Sequence, residues 1–217
     1  MAEKPFPGSD STSSEEKQKR GTTRRTFLKS AGMVSATVAG AEMLGGVATA
    51  ESDPTARTLG PGKVPLKLRI NGEDHAVSIE PRTTLAEALR DELHMTGTKV
   101  VCDRGSCSAC TVMLDKTPVC SCMTLAVDVG NRNITTIEGL AHSETLHPIQ
   151  VAFIEHDALQ CGFCTSGMIM SCTSLLERNP NPSTDDVKTA ISGNICRCAT
   201  YPKVLDAVLA ASQSKGA

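Results

Sequence analysis

Aromatic residues are scarce in this sequence, since its 217 residues include no tryptophan, one tyrosine and four phenylalanines. Beyond residue 50 only Phe153, Phe163 and Tyr201 remain to fill a core. Aromatic side chains normally contribute much of the buried apolar area of a protein, so another interaction must hold this fold together. The ten cysteines, which all lie between residues 102 and 198, are the candidates, because covalent or metal crosslinks stabilise small cores.

The sequence also lacks the usual signs of nucleic-acid binding and of catalysis on a substrate. Its 22 basic and 24 acidic residues give a net charge of −2, whereas a nucleic-acid-binding domain is usually basic. The five histidines show no metal-ligand grouping, and Gly60-Pro61-Gly62-Lys63 lacks parts of a phosphate-binding loop. No acid–base pair or nucleophile is evident, so we expect no nucleic-acid partner and no catalytic residue in this chain.

A long hydrophobic run is missing too, although a weakly apolar stretch lies near the N-terminus. Residues 1–20 are polar, and Arg24-Arg25 precedes small and apolar residues from 31 to 47. Glycines and Glu42 interrupt this run, which is too short to cross a bilayer as a helix. An amphipathic or membrane-spanning helix is the alternative interpretation, but we expect no stable insertion into a membrane.

The same segment resembles a twin-arginine signal peptide, because the apolar run ends at Ala48-Thr49-Ala50, a small-residue cleavage site. The resemblance implies that residues 1–50 are recognised by the twin-arginine export machinery, which carries folded proteins, and that the mature protein lies in the periplasm. Residues 51–63 contain prolines and glycines and are predicted to be a linker.

The segment 64–141 has the pattern of a small β-rich domain. Apolar and polar residues alternate from Val64 to Ile70 and from Ala76 to Glu80, on either side of Asn71-Gly72, which favours a β-hairpin. Thr84 and Glu87 then form a capping-box pattern before a helix. Further strands are predicted at Thr111–Leu114, Val119–Leu125 and Ile134–Ile137. These elements predict a β-grasp domain similar to the plant-type ferredoxins.

Four cysteines in this segment have the spacing of an iron–sulfur site. Cys102, Cys107 and Cys110 form C-x4-C-x2-C, and eleven residues separate the last of them from Cys122. This is the spacing of plant-type [2Fe-2S] ferredoxins. Such a site takes three thiolates from one loop, whose backbone N–H groups point at the sulfurs, and the fourth from a neighbouring element. A zinc site and disulfide bonds remain alternatives.

The segment 142–217 is predicted to be helical. Apolar residues recur at helical spacing in four stretches, which are His147–Leu159, Thr165–Leu176, Thr184–Ile191 and Pro202–Ala211. They predict a small four-helix bundle. The fold class expected for the whole chain is therefore α+β, with a ferredoxin-like domain followed by a helical domain.

Two cysteine pairs precede helices of this bundle. Cys161 and Cys164 come before the second helix, and Cys196 and Cys198 come before the fourth. A helix N-terminus favours an anion and lowers the pKa of a nearby thiol, so we expect depressed thiol pKa values and one four-thiolate centre. From spacing alone, a zinc ion or a dithiol redox motif fits nearly as well.

Two further cysteines exceed the eight in these groups. Cys172 lies within a predicted helix and is interpreted as a small buried apolar residue. Cys120 lies two residues before Cys122 in a predicted strand, so both side chains would point to the same side, and Cys120 is an alternative ligand.

Longer strings of residues carry a family resemblance. Gln160-Cys161-Gly162-Phe163-Cys164 and the string Ser-Gly-Asn-Ile-Cys-Arg-Cys-Ala-Thr-Tyr at 192–201 follow the C-x4-C-x2-C group in this chain. This order resembles the small iron–sulfur subunit of the xanthine oxidase family of molybdenum hydroxylases, over residues 64–212. With the leader added, the resemblance is closest to the iron–sulfur subunits of periplasmic aldehyde oxidoreductases.

The resemblance implies one [2Fe-2S] cluster in each half of the chain. The implied ligands are Cys102, Cys107, Cys110 and Cys122 for the first cluster, and Cys161, Cys164, Cys196 and Cys198 for the second. Partner subunits are expected to bind the other cofactors, with molybdopterin in a large subunit and FAD in a medium subunit of a heterotrimer. Gln160 is expected to contact the pterin, close to the second cluster, while the first cluster passes electrons on to FAD.

The predicted function is therefore electron transfer within a periplasmic molybdenum-dependent aldehyde oxidoreductase. Alternatives are the same role in an enzyme for N-heterocycles, purines or carbon monoxide, a scaffold module with two four-cysteine zinc sites, and a disulfide-bonded secreted protein. The chain departs from the family at Val101, Ser108 and Ala199, where glycine is usual. Glycine avoids steric cost at positive φ, so these side chains are expected to influence the reduction potentials.

Overall fold

The computed structural model of the protein describes residues 59–214 together with Arg25. The predicted signal peptide, apart from Arg25, and residues 51–58 of the predicted linker lie outside the described residues. Within the described part of the chain, no helix has both the length and the apolar character needed to cross a membrane.

The predicted hairpin is confirmed. Strands β1 (Val64–Ile70) and β2 (Glu73–Ile79) pair antiparallel along their whole length. Asn71 and Gly72 join them with φ values of 52° and 89°. Positive φ at both central residues gives a turn whose twist matches that of the paired strands.

The sheet has five strands in the order β2-β1-β5-β3-β4. The three later strands are β3 (Thr111–Leu114), β4 (Thr117–Cys120) and β5 (Asn133–Thr135). Strand β5 runs parallel to β1, and the other neighbours are antiparallel. One face of the sheet is covered by helix α1 (Leu85–Glu87), which continues as a π-helical turn over Ala88–Glu92.

Helix α1 begins with the predicted capping box. The Glu87 N–H donates to the Thr84 hydroxyl over 3.2 Å, and the Thr84 N–H donates to the Glu87 carboxylate over 2.7 Å. The apolar face of this helical segment packs on the sheet in a core built from Leu68, Ile70, Leu85, Leu89, Val112 and Ile134.

Two predicted strands are too long. The strand expected over Ile134–Ile137 ends at Thr135, before a 3₁₀ turn at Ile137–Gly139. The strand expected over Val119–Leu125 ends at Cys120, and Ser121–Met123 form a 3₁₀ turn. The cause is that Ser121 leaves the strand ladder and donates both its N–H and its hydroxyl to the Cys110 carbonyl, over 3.3 and 2.7 Å. Cys122 therefore lies in this turn and not in the strand that ends at Cys120, although both thiols lie within reach of the Cys110 thiol.

The four helices of the second half are confirmed, with small shifts at their ends. They are α2 (Pro148–Glu155), α3 (Thr165–Arg178), α4 (Thr184–Ala190) and α5 (Tyr201–Ser214). Helix α2 ends before the predicted Leu159 because Asp157 adopts a φ of 51° and the Ala158 N–H turns back to the Phe153 carbonyl. Phe153 is buried in the bundle core, whereas Phe163 is 60% exposed.

The sheet and the bundle share a continuous interface within one compact unit. Met113 of β3 packs into the core of the bundle. The Asn194 amide donates to the Ser108 carbonyl over 3.1 Å, and the Ser174 hydroxyl donates to the Lys116 carbonyl over 3.2 Å. Gly167 of α3 lies against the backbone of Ser108, where a Cβ would meet carbonyl oxygens.

We expect Gly167→Ala to destabilise the protein, although alanine is favoured over glycine in a helix by about 1 kcal/mol. The added methyl group would meet the Ser108 carbonyl and lie 2.9 Å from the Ala109 carbonyl oxygen, and overpacking of this kind costs about 1–3 kcal/mol. The thermal unfolding midpoint of the cluster-loaded chain measures the effect. Gly62→Ala is the matched control, because no atom lies within 4 Å of its added Cβ, and an equal or higher midpoint for Gly167→Ala would contradict the close approach.

Candidate metal centres

The first four predicted cysteines are brought together at the edge of the sheet. The loop from Cys102 to Cys110 leads into β3, and the 3₁₀ turn after β4 supplies Cys122. The thiols touch in two pairs, Cys102 with Cys107 and Cys110 with Cys122. Cys102 also lies close enough to Cys122 for the two charges to interact. We call this set of four thiols the first centre.

Backbone N–H groups of the same loop point at these sulfurs. Cys102 accepts from the N–H groups of Arg104 and Ser106, and Cys122 accepts from the N–H of Gly105. Gly105 has a φ of 70°, and a Cβ there would lie 2.9 Å from the Met123 side chain. Converging N–H groups stabilise an anion, so this loop provides a favourable environment for thiolate ligands.

The thiols of the first centre differ in acidity. The Arg104 N–H and then the Cys107 thiol lower the pKa of Cys102 to about 7. Burial and the neighbouring Cys110 thiol raise the pKa of Cys122 to about 12. A metal ligand must lose its proton, so a thiol such as Cys122 becomes a thiolate only when a metal displaces that proton.

The second predicted group also comes together, between the starts of α3 and α5. Cys164 immediately precedes α3, and Cys196 and Cys198 lie in the segment between α4 and α5. The thiols again touch in two pairs, Cys161 with Cys198 and Cys164 with Cys196. We call these four thiols the second centre.

Tyr201 holds the second centre in place, a role that the sequence did not reveal. Its hydroxyl accepts from the Cys196 N–H over 2.9 Å and donates to the Asn194 carbonyl over 3.0 Å. Asn194 is itself buried and bonded to the Ser108 carbonyl. The only signal in the sequence was that the single tyrosine follows the cysteine pair closely, which does not distinguish a positioning role from core packing.

The expectation of depressed thiol pKa values is confirmed for only one cysteine of the second centre. Burial alone would raise the pKa of Cys196, but hydrogen bonds from the Thr200 hydroxyl and N–H lower it to about 7. The prediction is wrong for Cys164. Burial and then the neighbouring Cys196 thiol raise the pKa of Cys164 to about 12. Cys164 occupies the N-cap position of α3, yet its side chain accepts no capping hydrogen bond, so the helix N-terminus does not offset the loss of solvent.

The pKa of Cys198 is raised as well. The Cys161 N–H donates to the Cys198 sulfur and lowers the pKa of Cys198, but the Cys161 thiol and burial together outweigh that hydrogen bond. A cation bound between the sulfurs of Cys161 and Cys198 would therefore stabilise the thiolate form of Cys198.

The paired arrangement fits a two-iron cluster, in which four thiolates hold two irons. Each touching pair can serve one iron, and the inward N–H groups suit the charge on the sulfurs. Among the described residues, no three His, Cys, Asp or Glu side chains are grouped as ligands of one metal ion. All ten cysteines belong to the described residues and are free thiols.

The two surplus cysteines have different surroundings. Cys172 is fully buried in α3, where burial raises its pKa to about 12, so its interpretation as a core residue is confirmed. Cys120 ends β4 and lies beside the first centre, with its sulfur 3.6 Å from the Ser108 hydroxyl and in contact with Cys110.

Positive φ is found at two of the three positions where glycine was expected. Ser108 has a φ of 52° and Ala199 a φ of 57°. Val101 is not among the described residues with positive φ and is 56% exposed beside Cys102. Gln160, the residue expected to contact the pterin, is exposed in the loop between α2 and α3.

Family models match both halves of the chain. A model of the 2Fe-2S iron-sulfur cluster binding domain matches residues 68–134. A model described as the [2Fe-2S] binding domain matches residues 136–209. The chain therefore contains two [2Fe-2S]-binding domains, one for each of the two centres.

Curated and solved relatives extend this match. The chain is 40% identical over 201 residues to the aldehyde oxidoreductase iron-sulfur-binding subunit PaoA of Escherichia coli O157:H7. The aligned region covers 86% of each of the two chains. It is 46% identical over 147 residues to the nicotine 6-hydroxylase small subunit of Paenarthrobacter nicotinovorans, covering 68% of this chain and 88% of that one. Quinoline 2-oxidoreductase from Pseudomonas putida 86 has a chain of similar structure, with a TM-score of 0.68, 43% identity and coverage of 70% and 95%.

Ligand substitution tests the assignment of the first centre. We expect Cys122→Ser to lower the iron content of the purified chain from about four to about two atoms, because each [2Fe-2S] cluster holds two irons. Cys120→Ser should retain both clusters, since the 3₁₀ turn places Cys122 and not Cys120 against the Gly105 N–H. Iron and acid-labile sulfide analysis, with visible absorbance, measures both variants. The reverse pattern would make Cys120 the ligand, and zinc in place of iron would exclude the clusters altogether.

Proposed function

The chain belongs to the iron–sulfur subunits of the xanthine oxidase family of molybdenum hydroxylases, and on this basis we propose that it is the electron-transfer subunit of an aldehyde oxidoreductase. In this proposal the thiols of the two centres are the cluster ligands. A [2Fe-2S] cluster bound in each centre supplies one-electron redox chemistry. The contribution of this chain is to hold the two centres at a fixed separation and to connect them.

One hydrogen bond carries the proposal. The Ile195 N–H donates to the Cys107 carbonyl over 3.1 Å. Cys107 belongs to the first centre, and Ile195 immediately precedes Cys196 of the second centre. A short path of covalent bonds and one hydrogen bond therefore joins the two ligand sets.

A second hydrogen bond lies beside the first and makes the connection rigid. The Asn194 amide donates to the Ser108 carbonyl, which also accepts from the Thr111 hydroxyl over 2.7 Å. Buried hydrogen-bonded groups that lock one another in this way preorganise a site. Backbone groups and buried side chains of this chain thus help to set the separation of the centres.

Exposed apolar side chains lie next to both centres. Phe163 and Ile195 are 60% and 57% exposed next to the second centre, and Met123 is 64% exposed next to the first. Large exposed apolar residues that cluster together mark interaction surfaces. We propose that the molybdopterin-binding large subunit covers the second centre and that an FAD-binding medium subunit covers the first, so that both are shielded from water in the assembled heterotrimer.

An apolar groove continues from the second centre and supports docking of the large subunit there. Gly162 and Thr165, which flank Cys164, line this groove together with Ile154 and Leu159. The Thr165 hydroxyl is buried without a hydrogen-bond partner among the described residues. Gln160 is exposed at the same loop, which supports its proposed contact with the pterin.

The choice of aldehyde as substrate class rests on the extent of the similarity. The match to the aldehyde oxidoreductase subunit covers 86% of this chain. Residues 59–217 make up less than three quarters of the chain, so this match must include part of the N-terminal segment. The nicotine 6-hydroxylase subunit, at 46% identity over a shorter stretch, favours an N-heterocycle hydroxylase as the second candidate.

Periplasmic location is part of the same proposal. The arginine pair, the weakly apolar run and the small-residue site in residues 1–50 support export by the twin-arginine machinery. That route accepts folded proteins, so clusters inserted in the cytoplasm would protect the ten thiols from oxidation during export.

We expect the order of electron transfer to be revealed by removing the second centre. In the assembled complex, Cys164→Ala should prevent an aldehyde from reducing the first cluster, while dithionite still reduces it directly. The reason is that the proposed path from the large subunit passes through the second centre. Rapid-freeze electron paramagnetic resonance, with an aldehyde and with an N-heterocycle as reductant, measures the effect.

Cys172→Ala is the matched control for this experiment, because it removes a thiol that is buried in α3 and touches neither centre. Reduction of the first cluster by aldehyde at an unchanged rate in Cys164→Ala would overturn the proposed order. Reduction of the unaltered complex by the N-heterocycle and not by the aldehyde would favour the second candidate function.

The export proposal has its own test. Replacing both Arg24 and Arg25 by lysine should retain the precursor in the cytoplasm, because the twin-arginine signal requires the arginine pair. Cell fractionation followed by immunoblotting measures the distribution. Replacing Arg20 by lysine is the control, since it makes the same kind of change and leaves the pair intact. Normal periplasmic delivery of the double-lysine variant would count against this route.

A further inference from the structure

Cys120 occupies a position that neither the core nor the two ligand sets explain. It is half-buried at the end of β4, and its side chain packs against Cys110 and Cys122 of the first centre. Its thiol lies within hydrogen-bonding reach of the Cys110 sulfur, and its sulfur is 3.6 Å from the Ser108 hydroxyl. Three polar side chains thus form a short chain, Ser108–Cys120–Cys110, that ends on a proposed ligand.

The chemistry of the proposed ligand decides the direction of these hydrogen bonds. A cysteine that binds iron is a thiolate and has no proton to donate. The hydrogen shared between Cys110 and Cys120 must therefore come from the Cys120 thiol. The Cys120 sulfur is then free to accept, and the Ser108 hydroxyl is the donor to it.

The positions of all three residues are well determined by the surrounding backbone. Cys120 is paired with Thr111, the residue after Cys110, in the ladder between β3 and β4. The Ser108 carbonyl accepts from the Thr111 hydroxyl and from the Asn194 amide. Ser108 has a φ of 52°. This backbone conformation costs less free energy for glycine than for a residue with a side chain such as serine. In this backbone conformation the Ser108 hydroxyl lies 3.6 Å from the Cys120 sulfur.

We propose that Cys120 is a hydrogen-bond donor to the ligand sulfur of Cys110, aligned by Ser108 as a positioning residue, and that this pair raises the reduction potential of the first cluster. The inference rests on the proposed function, because it requires a cluster in the first centre. Reduction adds one negative charge to the cluster and its ligands. A hydrogen bond to a ligand sulfur stabilises the more negative, reduced form more than the oxidised form.

The effect expected from one such bond is moderate. The S–H group is a weak donor, so its loss should change the equilibrium between oxidised and reduced cluster by about threefold to tenfold. For a one-electron couple a tenfold change corresponds to about 59 mV. The potential of the second cluster should not change, because neither Cys120 nor Ser108 touches its ligands.

The test is a redox titration of the loaded complex, followed by electron paramagnetic resonance of both clusters. We expect Cys120→Ala to shift the potential of the first cluster to a more negative value, while the second cluster serves as an internal reference. Cys120→Ser should restore the potential, because a hydroxyl is also a donor. Cys172→Ala removes a thiol far from the first centre and should leave both potentials unchanged.

Ser108→Gly tests the same inference without changing Cys120, so its result does not depend on the folding of the Cys120 variants. Glycine suits the positive φ at this position, and the loss of alignment should shift the first potential in the same direction but by less. In a double-mutant cycle, Ser108→Gly should have no further effect once Cys120 is alanine, because the hydroxyl acts only through the thiol.

The outcomes separate this inference from the function on which it rests. An unchanged or more positive potential of the first cluster in Cys120→Ala would overturn the inference and leave the electron-transfer proposal intact. Loss of the first cluster in that variant would show that Cys120 is a ligand and would also overturn it. Absence of [2Fe-2S] signals from the unaltered complex would overturn both proposals.

Discussion

The convergence of eight thiols into two compact sets is the constraint on which the rest of this structure depends. Thiolates repel one another, so each set needs hydrogen-bond donors and a cation to balance its charge. The first loop meets this requirement by turning its N–H groups inward through positive φ at Asp103, Gly105 and Ser108. The loops of the second centre do so at Gly162 and Ala199. Five of the fourteen described residues with positive φ thus lie in the loops that surround the sulfur atoms, and the other nine lie elsewhere.

The close interface between the sheet and the bundle follows from the same constraint. Helix α3 approaches the first loop so closely that only glycine fits at position 167. The same interface contains the hydrogen bond from the Ile195 N–H to the Cys107 carbonyl and the one from the Asn194 amide to the Ser108 carbonyl. Stability and the connection between the centres therefore rest on the same few contacts. In a protein with few aromatic residues, whose two cores are mainly aliphatic, these contacts link the halves of the proposed electron path.

Local patterns predicted much of the architecture because their physical causes are local. The alternation around Asn71-Gly72 and the capping box at Thr84 depend on residues within a few positions of one another, and both are present as expected. Errors arose where a distant partner intervened. The strand after Val119 stops because Ser121 bonds to Cys110, and the pKa of Cys164 is raised because burial outweighs its position at a helix end.

The cysteine spacing in the sequence predicted two groups of four sulfur donors, since C-x4-C-x2-C with Cys122 makes one group and the two later pairs make the other, while spacing alone left iron and zinc as alternatives. Tertiary structure alone decided how the thiols pair, where the two centres meet and what lies beside them. The link through Ile195, the anchoring of Cys196 by Tyr201 and the contact of Cys120 with Ser108 join segments that are far apart in the chain or turned by unexpected backbone. The first of these contacts arises only when the sheet and the bundle pack together, and the other two depend on the conformations of the cysteine loops, because close packing selects distances that no pattern of neighbouring residues encodes.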